Sequence, residues 1–330
     1  MHDRNPHTLT LARARGRRLC KTRHADGTTQ DYDAAKLLDL HAAPVPDLET
    51  LAALLQELLA RPDTCALRGA ILDPARTIAV RRLLHRCPKT GDLPTLADVP
   101  RPWIALDFDG LPLPVDLDPH DLAGCGDVAR RAMPPPFHRA ACVVTATAGH
   151  GFKPGARVRL WSMLSRPMAG SELKRWLAAA PIDRSVFCAS QPIFTSAPRF
   201  VGTTDPLPCR LAVLPGAPVL EVPSAEALAP QSRPLSPRAS PLSRRGGEGY
   251  ARAALVRATV AVAGAAVNNR HPTAVAEAWG LARLVAAGLL SPGEVTRALD
   301  GALRMAGKPA GEGAAVAAWA INQHAGGGRA

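Results

Sequence analysis

The chain has 330 residues, 47% of them hydrophobic, and a formal net charge of +12. That apolar content supports a sizeable core, the length suggests two domains, and the positive balance points to a polyanionic partner, nucleic acid or an anionic surface. The same arginine and alanine richness is also what a GC-rich genome writes, so charge alone does not choose a partner.

In chain order, residues 8–12 form a short apolar run that predicts a strand, followed by the densest basic cluster of the chain: Arg13, Arg15, Arg17, Arg18, Lys21 and Arg23. Leu48, Leu51, Leu54, Leu55, Leu58 and Leu59 share one helical stripe with Asp47 as N-cap, which predicts a helix over Leu48–Leu59. Residues 103–108 (WIALDF), 140–147 (AACVVTAT) and 158–164 (VRLWSML) read as core strands, and Ser171 as the cap of a helix running through Ala179. Strands and helices mixed in this way predict an α/β or α+β domain over residues 1–224.

At residues 225–249 proline, serine and arginine take over, the composition of an extended linker. Residues 250–330 then read as a small helical bundle. Its helices are expected over 251–266, over 273–287, from the capping box at Ser291-Pro292-Gly293-Glu294, and over 311–324. Trp279 and Trp319 are expected in its core.

Seven cysteines, an odd number with no C-x-x-C pair, argue against a disulfide framework or a zinc ribbon and for reduced thiols in a cytoplasm. The polar N-terminus has no apolar h-region, and no long uncharged apolar stretch exists, so neither a signal peptide nor a membrane span is expected.

The sharpest chemical signal is Leu106-Asp107-Phe108-Asp109-Gly110. On a strand, residues i and i+2 share a face, so Asp107 and Asp109 present two carboxylates together while Phe108 turns into the core. Their mutual repulsion calls for a cation, and hard oxygen donors suit Mg²⁺ or Mn²⁺. A solvent-facing turn after a strand fits the same pattern. So does the D-x-D-G-T start of the haloacid-dehalogenase phosphatases, though Leu111 stands where those enzymes have Thr and about a hundred residues precede the motif.

Further pieces follow in order. TATAGHGFKPGARVRLW spans residues 145–161, Pro181-Ile182-Asp183 follows a helix, and QPIFTSAP spans residues 191–198. With the aspartate pair, this series resembles the archaeo-eukaryotic primases of phages and plasmids over roughly residues 100 to 325. The resemblance implies an α+β (mixed α/β) primase-polymerase catalytic domain with an RRM-like sheet, followed by a helical domain. It implies that Asp107, Asp109 and Asp183 are catalytic and hold two Mg²⁺ or Mn²⁺ ions. It also implies a nucleotide lying against Thr145, Thr147, His150, Lys153, Arg157 and Arg159. Many relatives carry His where this chain has Arg159; arginine supplies charge but accepts no proton.

Plainer readings stand beside each of these. His150 fits an exposed loop residue, Asp183 a turn acid, and Arg157 with Arg159 one solvated strand face. Asn268-Asn269-Arg270-His271 fits either a template contact or a connecting loop. Gln191, Thr195 and Pro198 shape a turn. The implied function is primer synthesis on single-stranded DNA from nucleoside triphosphates for a mobile element. The alternative is a non-catalytic single-stranded DNA-binding module derived from such an enzyme. With no G-x-x-x-x-G-K-[ST] motif, strand opening is expected from a separate replicative helicase.

Overall fold

In the computed structural model, which describes residues 5–229, 244–266 and 269–326, strand β1 (Thr8–Arg13) is buried along most of its length because it has neighbours on both sides. It pairs antiparallel with β4 (Asp39–Pro44) and β5 (Thr64–Leu67), and β11 (Ile193–Phe194) extends the sheet beyond β5. Alternation sets its two faces: Leu9 and Leu11 join the main core, while Ala12 joins a second apolar cluster with Leu38, Leu67 and Leu96.

A second antiparallel sheet has the order β13 (Leu211–Leu214), β9 (Cys142–Ala146), β10 (Val158–Met168), β8 (Arg101–Asp107). β8, β9 and the first seven residues of β10 are buried almost without a break, as expected for strands covered on both faces. The indole of Trp103 on β8 donates to the Thr8 carbonyl at 3.0 Å and joins the two sheets. Helices α1 (Leu48–Leu59) and α2 (Leu122–Arg131) pack on this core. Asp47 caps α1 by accepting from the Thr50 amide at 2.8 Å. On α2, a Cβ at Gly126 would lie 2.4 Å from Val144, so only glycine lets the helix approach this closely.

A small sheet joins β2 (Thr22–His24) in parallel to β12 (Arg199–Val201) and antiparallel to β3 (Thr29–Gln30), and β6 (Ala70–Ile71) pairs with β7 (Leu96–Ala97). Helix α3 (Gly170–Trp176) starts at Ala169, not at Ser171 as expected. The Glu172 carboxylate accepts from the Ala169 amide at 2.8 Å and draws the start two residues back.

The chain divides into two compact units, Met1–Pro230 and Gln231–Ala330. The first is mixed α+β with antiparallel sheets. The second contains α4 (Arg244–Ala263), α5 (Arg270–Ala286), α6 (Pro292–Met305) and α7 (Glu312–Gly326) around a core of Ala, Val and Leu. Ser291 and Glu294 form the expected capping box of α6.

Three expectations need correction here. Of the linker expected at 225–249, residues 230–243 lie outside the described residues. Residues 244–249 belong to α4, where Gly247 packs so close to Leu289 that a Cβ would sit 2.8 Å from it. At the other end, the Leu228 carbonyl accepts from Arg175 Nε at 2.6 Å, and its side chain packs on the main core. Trp279 and Trp319 are 47% and 46% exposed and lie against each other, because Ala, Val and Leu already fill the bundle core. Asn268 of the expected polar connection lies outside the described residues, and Arg270 and His271 open α5. Among the described residues, no helix is long and apolar enough to cross a membrane.

Candidate active site

Asp107 is the last residue of β8 and the direct partner of Arg159 on β10. Arg159 Nη2 donates to Asp107 Oδ1 at 2.7 Å, and Nη1 donates to the Phe194 carbonyl at 2.8 Å. Arg159 and Asp107 leave 8% and 21% of their side chains exposed, so the pair is largely withdrawn from solvent. Such a charge-assisted bond is stronger than an exposed pair, and losing either partner strands a charge.

Phe108 turns into the core and Asp109 turns back out. Arg157 donates to the Asp109 carboxylate, which is 75% exposed. The chain past Asp109 stays zipped to the start of β10: the Gly110 and Leu111 amides both donate to the Ala156 carbonyl at 3.0 Å. Gly155 permits this contact. Its φ is +75°, and a Cβ there would lie 2.6 Å from the Leu111 carbonyl oxygen.

Both aspartates line a cavity of about 500 Å³. Of the expected nucleotide-binding residues, Thr147, Lys153, Arg157 and Arg159 line it too, joined by Lys21, Arg23, Tyr32, Phe194 and Ser196 from other elements. Arg23 on β2 donates through Nη2 to the Ala148 carbonyl at 2.9 Å, tying the small sheet to the β9–β10 loop. Its pKa is lowered, first by burial and then by Arg210. Arg23, Arg157 and Arg159 each keep a buried Nε–H with no acceptor. Three guanidiniums and two lysines lining one cavity fit a ligand with several anionic groups.

Two of the expected nucleotide residues do something else. Thr145 is buried; its Oγ1 accepts from the Trp161 indole at 3.2 Å, and it does not line the cavity. His150 is fully buried, neither an exposed loop residue nor a cavity residue. Its Nδ1 accepts from the Arg157 amide at 3.2 Å, so it braces the segment that carries Arg157. Burial lowers its pKa, with Arg210 and His120 acting in the same sense, which keeps the ring neutral and that acceptor available. Thr147 supports the same segment, its hydroxyl donating to the Arg157 carbonyl at 2.9 Å.

Asp183 reaches the site by its backbone only. Its amide donates to the Asp107 carbonyl at 2.9 Å, but its carboxylate caps the 3-10 turn Arg184–Phe187 by accepting from the Ser185 amide and hydroxyl at 2.8 and 2.7 Å. Among the described residues, no three His, Cys, Asp or Glu side chains are grouped to hold one ion. Asp107 and Asp109 suit a hard divalent cation in donor type and share an open cavity. Here, however, Arg157 and Arg159 supply the positive charge that the pair requires.

The residues missed from the sequence come from the small sheet and from β11. Arg23 and Lys21 belong to the basic cluster that stood out by composition, but no local pattern tied that cluster to the aspartates. Neither family models, curated proteins nor solved structures give a match to this chain.

Proposed function

We propose that this protein is a nucleotidyltransferase of the archaeo-eukaryotic primase type, making short primers on single-stranded DNA from nucleoside triphosphates. The observation that carries this reading is one cavity that gathers Asp107 and Asp109 with the guanidiniums of Arg23, Arg157 and Arg159. The four-stranded antiparallel sheet that carries Asp107 and Arg159 is compatible with the RRM-like sheet of that reading.

On this reading Asp107 and Asp109 would hold Mg²⁺ or Mn²⁺, and the ion when bound would supply Lewis acidity toward the attacking hydroxyl. Asp183, held by Ser185, keeps the Asp107 main chain in place. Lys153, Arg157, Arg159 and Arg23 bind and orient the triphosphate, and their charge offsets what develops on the departing pyrophosphate. Arg157 and Arg159 serve carboxylates and phosphates in turn. Strand opening falls to a separate helicase.

A second reading, a non-catalytic single-stranded DNA-binding module, is favoured by one observation: both aspartates already carry an arginine partner. Incorporation of labelled nucleotides on a single-stranded template, with Mg²⁺ and with Mn²⁺, separates the two. The enzyme reading expects product; DNA binding without product under either ion supports the module.

A further inference from the structure

A ligand made only of phosphate needs no aromatic surface, yet this cavity has one. Tyr32, on the segment after β3, stacks on Phe194 of β11 with ring centroids 4.2 Å apart and planes inclined by 30°. Both rings line the cavity that holds Asp107, Asp109 and the guanidiniums. Phe194 is anchored from behind: its ring packs on the second apolar cluster, and its carbonyl is the acceptor of Arg159 Nη1. Tyr32 is not anchored in this way and leaves 43% of its surface exposed. An aromatic ring backed by a fixed second ring and half open to a basic cavity is a platform for another flat π-system. Nucleobases stack on such rings whatever their identity.

We propose that Tyr32 is the base-stacking residue for the incoming nucleotide, with Phe194 as its support. The inference rests on the nucleotide reading of the cavity and adds the subsite that takes the nucleoside half of the ligand. Because the Phe194 carbonyl accepts a hydrogen bond from Arg159, the support of the platform adjoins a phosphate-binding arginine directly.

The test is calorimetric binding of two probes to the full chain in the presence of Mg²⁺: ATP, and inorganic tripolyphosphate, which has the charge without the base. The wild-type protein should bind ATP more tightly than tripolyphosphate. Tyr32→Ala should lower ATP affinity about tenfold and leave tripolyphosphate affinity unchanged, the latter also reporting an intact fold. Tyr32→Phe should keep the wild-type preference, since the ring does the stacking. Unchanged ATP affinity in Tyr32→Ala, or an equal loss for both probes, overturns the assignment. So does a loss confined to a single-stranded oligonucleotide titrated as a third probe, which would give the platform to a template base. If the wild-type protein binds neither probe, the nucleotide reading of the cavity fails, and the inference with it.

Discussion

Arg159 lies directly across the β8–β10 ladder from Asp107 and holds both its carboxylate and the Phe194 carbonyl. One guanidinium thus fixes an acid of the candidate site and a strand of the other large sheet. A partly buried pair of this kind is asymmetric in its consequences: removing either member leaves the other charged and withdrawn from water.

Asp107→Ala and Asp109→Ala should therefore differ in stability. Loss of Asp107 strands Arg159 and should cost about 3 kcal/mol, read as a lower urea midpoint. Loss of Asp109, which is largely exposed, should cost no more than about 1 kcal/mol. Equal midpoints for the two variants would contradict the pairing. Relief of repulsion between the aspartates does not offset either loss, because the two arginines already remove that repulsion.

Gly155→Ala should be destabilised by roughly 1–3 kcal/mol and should lose activity along with stability. The added Cβ would meet the Leu111 carbonyl at 2.6 Å in a left-handed backbone conformation. That contact holds the turn carrying Asp109 against β10. A variant as stable and active as wild type would show that the turn is free to move.

His150 should make stability pH-dependent on the mildly acidic side. Its folded-state pKa is depressed by burial, so the unfolded chain binds the proton more readily. Its contribution is fully present above the ordinary histidine value and is lost as pH falls below it toward the folded value. Protonation also removes the acceptor for the Arg157 amide. Denaturant midpoints between about pH 7.5 and 5 should fall in the wild-type protein and fall less in His150→Asn. Identical slopes would remove His150 from the account.

Lys153→Ala should raise the KM for nucleotide several-fold without changing the thermal midpoint. The residue is exposed and lines the cavity. An exposed ammonium on a phosphate is screened by ions, so the effect should shrink as salt is raised. An unchanged KM in Lys153→Ala would remove the residue from the triphosphate site.

Much of this architecture is legible where a pattern is local. The leucine stripe and Asp47 mark α1 to the residue, Ser291 and Glu294 mark the start of α6, and the alternation at Leu106-Asp107-Phe108-Asp109 puts Phe108 inside and the acids out. The fate of Asp183 was also written locally, since Asp-x-Ser is a capping pattern that competes with any ligand for the carboxylate. What is not legible depends on pairing between distant segments. Arg23 and Tyr32 reach the site because β2, three residues long, pairs with β12 some 180 residues later. Strands of two or three residues carry no periodicity to read. Burial of His150 within the β9–β10 loop likewise follows from tertiary packing, against the solvent preference of a glycine-flanked histidine.

The most direct test compares wild-type protein with Asp109→Ala in primer synthesis on a single-stranded DNA template, supplied with nucleoside triphosphates and Mg²⁺ or Mn²⁺. Asp109 is the suitable position because its side chain is open to the cavity and contributes little to the fold. The account predicts short products from the wild-type chain and none from a variant that remains folded and still binds the template. Products of equal yield from both would remove the aspartate pair from the chemistry, and no product from the wild-type chain under either ion would contradict the enzymatic reading itself.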